Sequence, residues 1–253
     1  VRAEVTPSLR YFVTDRTLKS VTTLQRRYAP DSVEPPALVS AGFAANEVAV
    51  ADAPHPLMEE YPGCSYVSNN LLFVAERRVP AVVADAADAE RGMCLAVRFD
   101  LAGLPADHWN HGGYATLRLA KPIEIPAQAN GIGLWVKGNA SLGRLAWELT
   151  DAKGRVFISN GTPRDGAVLL NAGYENEFTH TGWRFLKMAL TPKYAIPQSW
   201  FSMHWHNAEG TAMTPPFKVT ALVVSSSQKL PRIDGFAPVR DQEIRLGRMA
   251  AYE

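Results

Sequence analysis

Hydrophobic and polar positions alternate with a period of two along much of the chain. The clearest stretch is GIGLWVKGNASLGRLAWELTDAKGRVFISNG, residues 131–161, where turn-forming Gly, Asn and Asp interrupt the alternation. It contains three apolar-alternating runs: Ile132–Val136, Arg144–Leu149 and Arg155–Ile158. A tight turn is predicted at Asp151–Gly154, between the second and third runs. This pattern is typical of antiparallel strands joined by hairpins.

Further strand-like runs occur outside this stretch. They are Ala37–Val50, Asn69–Ala75, Val79–Ala84, Met93–Leu101, Tyr114–Leu119, Ile123–Ile125, Trp183–Leu190, Trp200–His206, Lys218–Ser225 and Glu243–Tyr252. The alanine-rich segment Ala81–Ala89 also suits a helix, and Lys121-Pro122 predicts a turn. No amphipathic helix longer than two turns is predicted, so strands do not alternate with helices as in a parallel sheet. The predicted fold class is all-β, an antiparallel β-sandwich of jelly-roll type.

The alternation also indicates which side chains face the core. Leu145, Trp147 and Leu149 lie on one face of their strand, because alternate residues of a strand point to the same side. We predict that this face is core, and that Trp183 is a core residue too. A glycine within the last run, Gly247, predicts a β-bulge there.

The length bounds the domain organisation. The 253 residues are enough for one large β-domain with a smaller appendage. Residues 28–36 contain three prolines and two acidic residues, a composition typical of linkers. We predict an N-terminal strand and linker segment over residues 1–36 and a single β-sandwich over residues 37–253.

Acidic and basic residues are almost balanced, with 26 Lys and Arg against 25 Asp and Glu. No net field therefore favours nucleic acid or an anionic membrane surface as a partner. No apolar run approaches the roughly 20 residues that span a bilayer. We expect no nucleic-acid partner and no membrane span.

The chain has two cysteines, Cys64 and Cys94, which are too few for a zinc site by themselves. Either they form one disulfide, which would suit an oxidising compartment, or they are two buried free thiols. The sequence leaves both alternatives open, because spacing along the chain does not fix the distance between the sulfur atoms.

A family resemblance follows from four segments: GLWVKGNASLGRLAWELTDAKGRVF, TGWRFLKMAL, VTALVVSSS and IRLGRMAAYE. Together they resemble the galactose-binding-like β-sandwich domains, which occur as carbohydrate-binding modules attached to polysaccharide-degrading enzymes. The resemblance covers residues 37–253, except that the segment Pro54–Asp88 does not align. It implies a module of a larger secreted or periplasmic protein that binds a polysaccharide or oligosaccharide through end loops or a concave sheet face.

The resemblance also implies a structural calcium ion near the joined chain ends. Calcium prefers carboxylate and carbonyl oxygen ligands. The candidate oxygen donors are Glu47, Asp52, Glu243 and Glu253.

Two tryptophans are candidates for stacking on a sugar ring. A rigid aromatic side chain buries the apolar C–H face of a sugar, while neighbouring polar groups bond its hydroxyls. Trp109 lies in a polar loop, Asp107–Gly113, and Trp135 points away from the face of its strand that carries Leu134 and Val136. Core packing is the alternative interpretation of both rings.

Polar candidates surround these aromatics. His204 and His206 share one face of an extended segment, where they could bond sugar hydroxyls, be merely exposed, or hold a metal with loop histidines. Asn139 and Arg144 flank a polar hairpin link, and a guanidinium forms forked bonds with the carboxylate of an acidic sugar. The alternative for this link is a turn whose residues are chosen for backbone angles.

The sequence offers candidate catalytic groups, but no motif singles out any of them as a catalytic site. Paired carboxylates for glycoside hydrolysis are available among Glu148, Asp151, Glu175 and Glu177. A lyase would need a base and groups that neutralise a uronate, for which His204, Arg144, Asn160 and Tyr174 are candidates. No phosphate loop, nucleophile elbow, His-Glu-x-x-His or Cys-x-x-Cys motif is present in the sequence.

The first hypothesis is therefore a non-catalytic carbohydrate-binding β-sandwich module. Its expected glycan contacts are Trp109, Trp135, Asn139, Arg144, His204 and His206. One alternative is a catalytic jelly-roll, acting on polysaccharide as a lyase or glycoside hydrolase. The other is a structural or interaction module that packs on a neighbouring domain of a larger chain.

Overall fold

A computed structural model describes residues 33–59, 75–102, 111–139, 143, 145–159, 178, 181–190, 205–207, 211–227 and 243–253. These residues form two antiparallel β-sheets that pack face to face, which confirms the predicted all-β sandwich. The strands are β1 (Ala37–Ala41), β2 (Val48–Val50), β3 (Ala75–Arg78), β4 (Ala81–Asp88), β5 (Gly92–Phe99), β6 (His111–Ile125), β7 (Gly131–Asn139), β8 (Leu145–Thr150), β9 (Val156–Ser159), β10 (Thr181–Ala189), β11 (Trp205–His206), β12 (Phe217–Ser227) and β13 (Glu243–Tyr252). A 3-10 turn at Ala45–Glu47 and a single-turn helix α1 at Pro56–Glu59 are the helical elements of the described residues.

The strands are divided between two sheets. Sheet A has the order β10-β7-β13-β5-β4, with β1 also paired to β13. Sheet B has the order β11-β9-β8-β12-β6-β2, with β3 paired to β6 in parallel, while the other pairings are antiparallel. From β5 to β8, consecutive strands alternate between the sheets, as expected for a jelly roll.

The hydrophobic core lies between the inner faces of the two sheets. Alternate residues of each strand enter it, because side chains of a strand point to opposite sides in turn. Sheet A contributes Leu95 and Val97, and sheet B contributes the predicted face of Leu145, Trp147 and Leu149, all fully buried. The prediction that this face of β8 is core is therefore confirmed.

One open alternative of secondary structure is decided in favour of a strand, and one local prediction was wrong. The alanine-rich segment 81–89 does not form a helix, because its residues 81–88 pair with β5 as strand β4. Lys121-Pro122 does not end a strand, since β6 continues through both residues. Instead, the register of β6 against β12 shifts between Arg118 and Ile123, and this irregularity accommodates a proline that has no N–H to donate.

Two predictions about glycines are confirmed. The turn at Asp151–Gly154 closes with a hydrogen bond of 2.9 Å from the backbone N–H of Gly154 to the carbonyl oxygen of Asp151, and Gly154 has a φ of 76°. The pairing of β13 with β7 shifts register between Leu246 and Met249, which is the predicted irregularity at Gly247.

The predicted domain boundary falls where β1 begins, at Ala37. Residues 1–32 are outside the described residues, so the separation of an N-terminal segment stays a prediction. Within the described ranges, no helix is both long and apolar enough to cross a membrane.

Candidate functional site

The outer face of sheet A carries a cluster of aromatic side chains that is separate from the core. We call this cluster the tryptophan face; its members are Trp135, Trp183, Phe185 and Tyr252, with Cys94 and Ala250 between them. Trp135 lies on β7 opposite Phe185 on β10, and their ring centroids are 5.4 Å apart. Trp183 lies two residues before Phe185, so the two indoles are diagonal neighbours on one face.

Gly247 allows the two tryptophans to lie close to β13. A Cβ atom built on Gly247 would stand 3.0 Å from the Cβ of Trp135 and 3.3 Å from Cζ3 of Trp183. The first of these distances is already at the lower limit of ordinary packing. A glycine at the irregular position of β13 therefore leaves room for both tryptophans next to this strand.

Each indole N–H of the tryptophan face donates a hydrogen bond to a carboxylate. Trp135 Nε1 donates to Glu34 Oε2 at 2.7 Å, and Trp183 Nε1 donates to Asp88 Oδ1 at 2.9 Å. Trp135 and Trp183 are only 5% and 9% exposed, so these bonds satisfy donors that water barely reaches. Trp183 is thus buried as predicted, but on the outer face of a sheet and not in the core between the sheets.

Cations neutralise both carboxylates. Arg248 lies 3.1 Å from Glu34, and Lys137 Nζ lies 2.8 Å from Asp88 Oδ2, with Arg245 at 3.5 Å from the same oxygen. The hydrogen bond from Lys137 holds the pKa of Asp88 well below its usual range, although burial of the carboxyl acts in the opposite direction. The tryptophan face is therefore a layer of aromatic rings whose polar edges are bound by ion pairs.

Arg91 covers the outer side of Trp135. The guanidinium carbon lies 3.3 Å from the centroid of the indole, a stacked cation–π contact. The residue is exposed, and its guanidinium makes no hydrogen bond or ion pair with any residue that the structure describes. Desolvation lowers the pKa of Arg91 and the nearby charge of Glu34 raises it, and an arginine stays protonated at any physiological pH.

A second polar cluster lies on the outer face of sheet B. Glu148 Oε2 accepts a hydrogen bond of 2.7 Å from His55 Nε2, while Oε1 accepts bonds from Arg118 at 3.0 Å and Thr220 at 2.6 Å. The backbone N–H of His55 donates in turn to the Tyr114 hydroxyl at 3.1 Å. The side chains of His55 and Glu148 are 0% and 4% exposed, so these two groups are buried, while the side chain of Arg118 is 48% exposed.

The backbone fixes the tautomer of His55. The N–H of Leu57 donates to His55 Nδ1 at 3.2 Å, so Nδ1 is the acceptor and the proton of the neutral ring lies on Nε2, toward Glu148. Burial raises the pKa of Glu148, but the hydrogen bonds from His55 and Thr220 and the charge of Arg118 lower it to about 2. Glu148 is therefore an anion that holds the segment around α1 on the sheet.

The sequence alone missed the His55 side of this cluster. His55 lies in the segment Pro54–Asp88, which does not align with the resembled family, and no short motif links it to Glu148. The available signal was a charged residue in the middle of the alternating run Leu145–Leu149, because a carboxylate there needs a partner on the outer face.

Asp151 is likewise occupied by structural contacts. Its carboxylate accepts hydrogen bonds from the backbone N–H groups of Lys153, Arg155 and Thr214 and from the guanidinium of Arg155 at 2.6 Å. Burial raises the pKa of Asp151 and the bonds from Arg155 lower it, with a net decrease. Two of the four carboxylates considered for glycoside hydrolysis are therefore bound within the fold, and Glu175 and Glu177 are outside the described residues.

The predicted glycan contacts do not all lie together. Trp135 belongs to the tryptophan face of sheet A, whereas the backbone of His206 pairs with Ile158 in sheet B. Asn139 ends β7, where its Nδ2 donates to Ser226 Oγ at 3.3 Å. Three further predicted contacts are outside the described residues: Trp109, Arg144 and His204.

The four predicted calcium ligands do not fit a single ion. Glu243 begins β13 and Glu253 follows its end, about 30 Å away at about 3.3 Å per residue. The carboxylate of Glu243 is already bound by Arg98 at 2.8 Å and Arg245 at 3.0 Å, while Asp52 is fully exposed. In the part of the chain that the structure describes, no three His, Cys, Asp or Glu side chains form a metal-binding group, and Glu47 joins none. A structural calcium stays a prediction from the resemblance alone.

Comparison with known proteins adds no family assignment. No protein-family model matches the chain, and no curated protein sequence matches it. A function must therefore be inferred from the geometry of the chain itself.

Proposed function

We propose that the chain is a non-catalytic, galactose-binding-like module that binds carbohydrate on the tryptophan face. The observation that supports this most directly is the position of Trp135 and Trp183 outside the core. The space between the sheets is filled by other side chains, among them Trp147 and Phe157. Two further indoles on an outer face are not needed to hold the sheets together, but they suit the recognition of a sugar ring.

The chemistry of the tryptophan face matches the two-sided character of a sugar. Trp135 and Trp183, which are 5% and 9% exposed, offer a small apolar area to C–H groups, and the ion pairs around them offer donors and acceptors to hydroxyls. Glu34 and Asp88 fix the ring orientations through the indole N–H bonds, so little side-chain entropy is lost on binding. In this proposal the glycan lies across the charged rim formed by Lys137 and Arg245 and contacts the small part of the rings that remains accessible.

The catalytic alternative receives less support from the described residues. Glycoside hydrolysis needs two carboxyl groups on either side of a reachable bond. Glu148 and Asp151 are buried and bound by His55 and Arg155 respectively. A binding module is therefore the function that these residues favour.

Titration calorimetry against a panel of oligosaccharides tests the proposal. For the best ligand, we expect Trp183→Ala to raise Kd by about tenfold or more, equivalent to about 1.4 kcal/mol. The matched control is Lys218→Ala, which removes an exposed side chain of sheet B and is expected to leave Kd unchanged. Circular dichroism establishes that each variant is folded before titration.

A reducing-end assay on the same panel addresses the catalytic alternative. We expect no new ends during prolonged incubation. Release of ends would favour a hydrolase or lyase, and absence of binding to every carbohydrate would overturn the proposal.

A further inference from the structure

Arg91 is held in place by the turn between β4 and β5. That turn spans three residues, Ala89 to Arg91, and Gly92 continues the chain with a φ of 71°, in the left-handed region that favours glycine. A hydrogen bond of 2.9 Å from the backbone N–H of Glu90 to Asp88 Oδ1 tightens the turn. The turn thus directs the Arg91 side chain over the outer face of Trp135.

Stacking uses the flat face of a guanidinium and leaves its edge available. The five N–H donors of arginine lie in the plane of the group, and the guanidinium carbon of Arg91 lies over the Trp135 ring, 3.3 Å from its centroid. No described residue accepts a hydrogen bond from these donors, and the side chain is exposed. Arg91 therefore presents an oriented, unused fork of donors to solvent.

Three carboxylates near Arg91 already have other cations as ion-pair partners. Glu34 is bound by Arg248, Asp88 by Lys137, and Glu243 by both Arg98 and Arg245. Each of these three carboxylates has a cation other than Arg91 as its ion-pair partner, although the charge of Glu34 also acts on the Arg91 guanidinium.

We infer that Arg91 is an anion-binding subsite of the tryptophan face, and that the carbohydrate bound there carries a carboxylate, as a uronic acid does. This inference rests on the proposed function. A planar carboxylate accepts two parallel N–H bonds from a guanidinium, an arrangement that lysine does not provide. The stack on Trp135 orients the fork before the ligand arrives, which reduces the entropy lost on binding.

Titration with matched ligands tests this subsite. The probes are a uronic-acid oligosaccharide, the same compound with its carboxyl groups methyl-esterified, a neutral hexose oligosaccharide and a sulfated oligosaccharide. We expect wild-type protein to bind the free acid about tenfold more tightly than the ester. Arg91→Ala is expected to abolish that preference, and Arg91→Lys to restore only part of it because it keeps the charge without the fork.

The control variant is Arg98→Ala. It removes the same charge from the same sheet while Arg91 stays on Trp135 and Glu243 keeps Arg245 as its partner. We expect its Kd for the free acid to remain within about threefold of the wild-type value, since an exposed charge at the rim is screened by solvent.

The outcomes separate this inference from the proposed function. Equal binding of acid and ester, unchanged in Arg91→Ala, would overturn the anion subsite while leaving a carbohydrate-binding module. Tight binding of the sulfated compound alone would overturn the assignment of a carboxylate. Failure of every carbohydrate to bind would overturn the proposed function and the subsite together.

Discussion

His55 Nε2 lies 2.7 Å from Glu148 Oε2, although the two residues are 93 positions apart in the chain. The contact attaches the segment that contains α1 to the outer face of sheet B. Because the side chains are sealed from water, the bond acts in a low-dielectric environment, where a hydrogen-bonded charge is strongly stabilised and an unpaired one is costly. The pair thus links two segments that are distant in the chain, and the strength of this link depends on the ionisation of Glu148.

The ionisation of Glu148 predicts acid sensitivity. Its pKa is about 2 in the folded protein and about 4.5 as an ordinary glutamate, so the unfolded chain binds the proton more readily. The stabilisation is fully present above pH 4.5 and is lost as pH falls toward 2, up to about 3 kcal/mol. We expect Glu148→Gln to lower the free energy of unfolding at pH 7 and to flatten its decline between pH 4.5 and 2.

Urea unfolding at a series of pH values measures this effect. The matched control is Glu124→Gln, which neutralises an exposed carboxylate of the same sheet and is expected to follow the wild-type pH profile. A Glu148→Gln profile parallel to that of the wild type from pH 7 to 2 would contradict the assigned role of the pair.

The sequence predicted strands correctly where hydrophobic and polar residues alternate cleanly. It was less informative where residue propensity and strand pairing favour different elements. The run Glu243–Tyr252 coincides with β13. Its buried residues either pack against the neighbouring strands of the sheet or lie in the core. The segment 81–89 left a strand and a helix both open because alanine suits helices, and pairing with β5 along eight positions outweighs that preference. Propensity belongs to the single residue, whereas strand pairing depends on a partner strand, here β5 across a three-residue turn.

The tryptophan face depends both on local sequence pattern and on residues that are distant in the chain. The outward direction of Trp135 followed from the alternation around it. Its partners did not, because Glu34 lies in the predicted linker and Arg91 in a turn between two other strands. No spacing rule relates these three positions, so only the three-dimensional fold brings a carboxylate to the indole N–H and a guanidinium to its ring.

The glycine of the polar link before β8 predicts a sharp effect of substitution. A Cβ atom on Gly143 would overlap the backbone carbonyl oxygen of Ser225, and the Gly143 carbonyl oxygen accepts a hydrogen bond of 2.7 Å from the N–H of Phe178. Neither neighbour is a flexible side chain that moves aside. We expect Gly143→Ala to reduce the free energy of unfolding by about 3 kcal/mol or more.

Gly42→Ala is the control for that measurement. A Cβ atom at Gly42 meets nothing within 4 Å, so the change is expected to stay within about 0.5 kcal/mol in urea unfolding. Equal stability of the two variants would contradict the close packing of Gly143 against β12.

Cys94 is expected to react slowly with alkylating reagents in the folded protein. Its Sγ lies 3.2 Å from the Ala86 carbonyl oxygen beneath the tryptophan face, as a buried free thiol, and burial raises its pKa. The thiolate is the reactive form, so both burial and the higher pKa slow alkylation.

Cys64 lies outside the described residues, and Cys64→Ser leaves Cys94 as the sole thiol. For this variant we expect alkylation at pH 8 to be much slower in buffer than in urea. In unreduced, denatured wild-type protein, mass spectrometry is expected to show both cysteines alkylated; protection of both would instead establish the alternative disulfide.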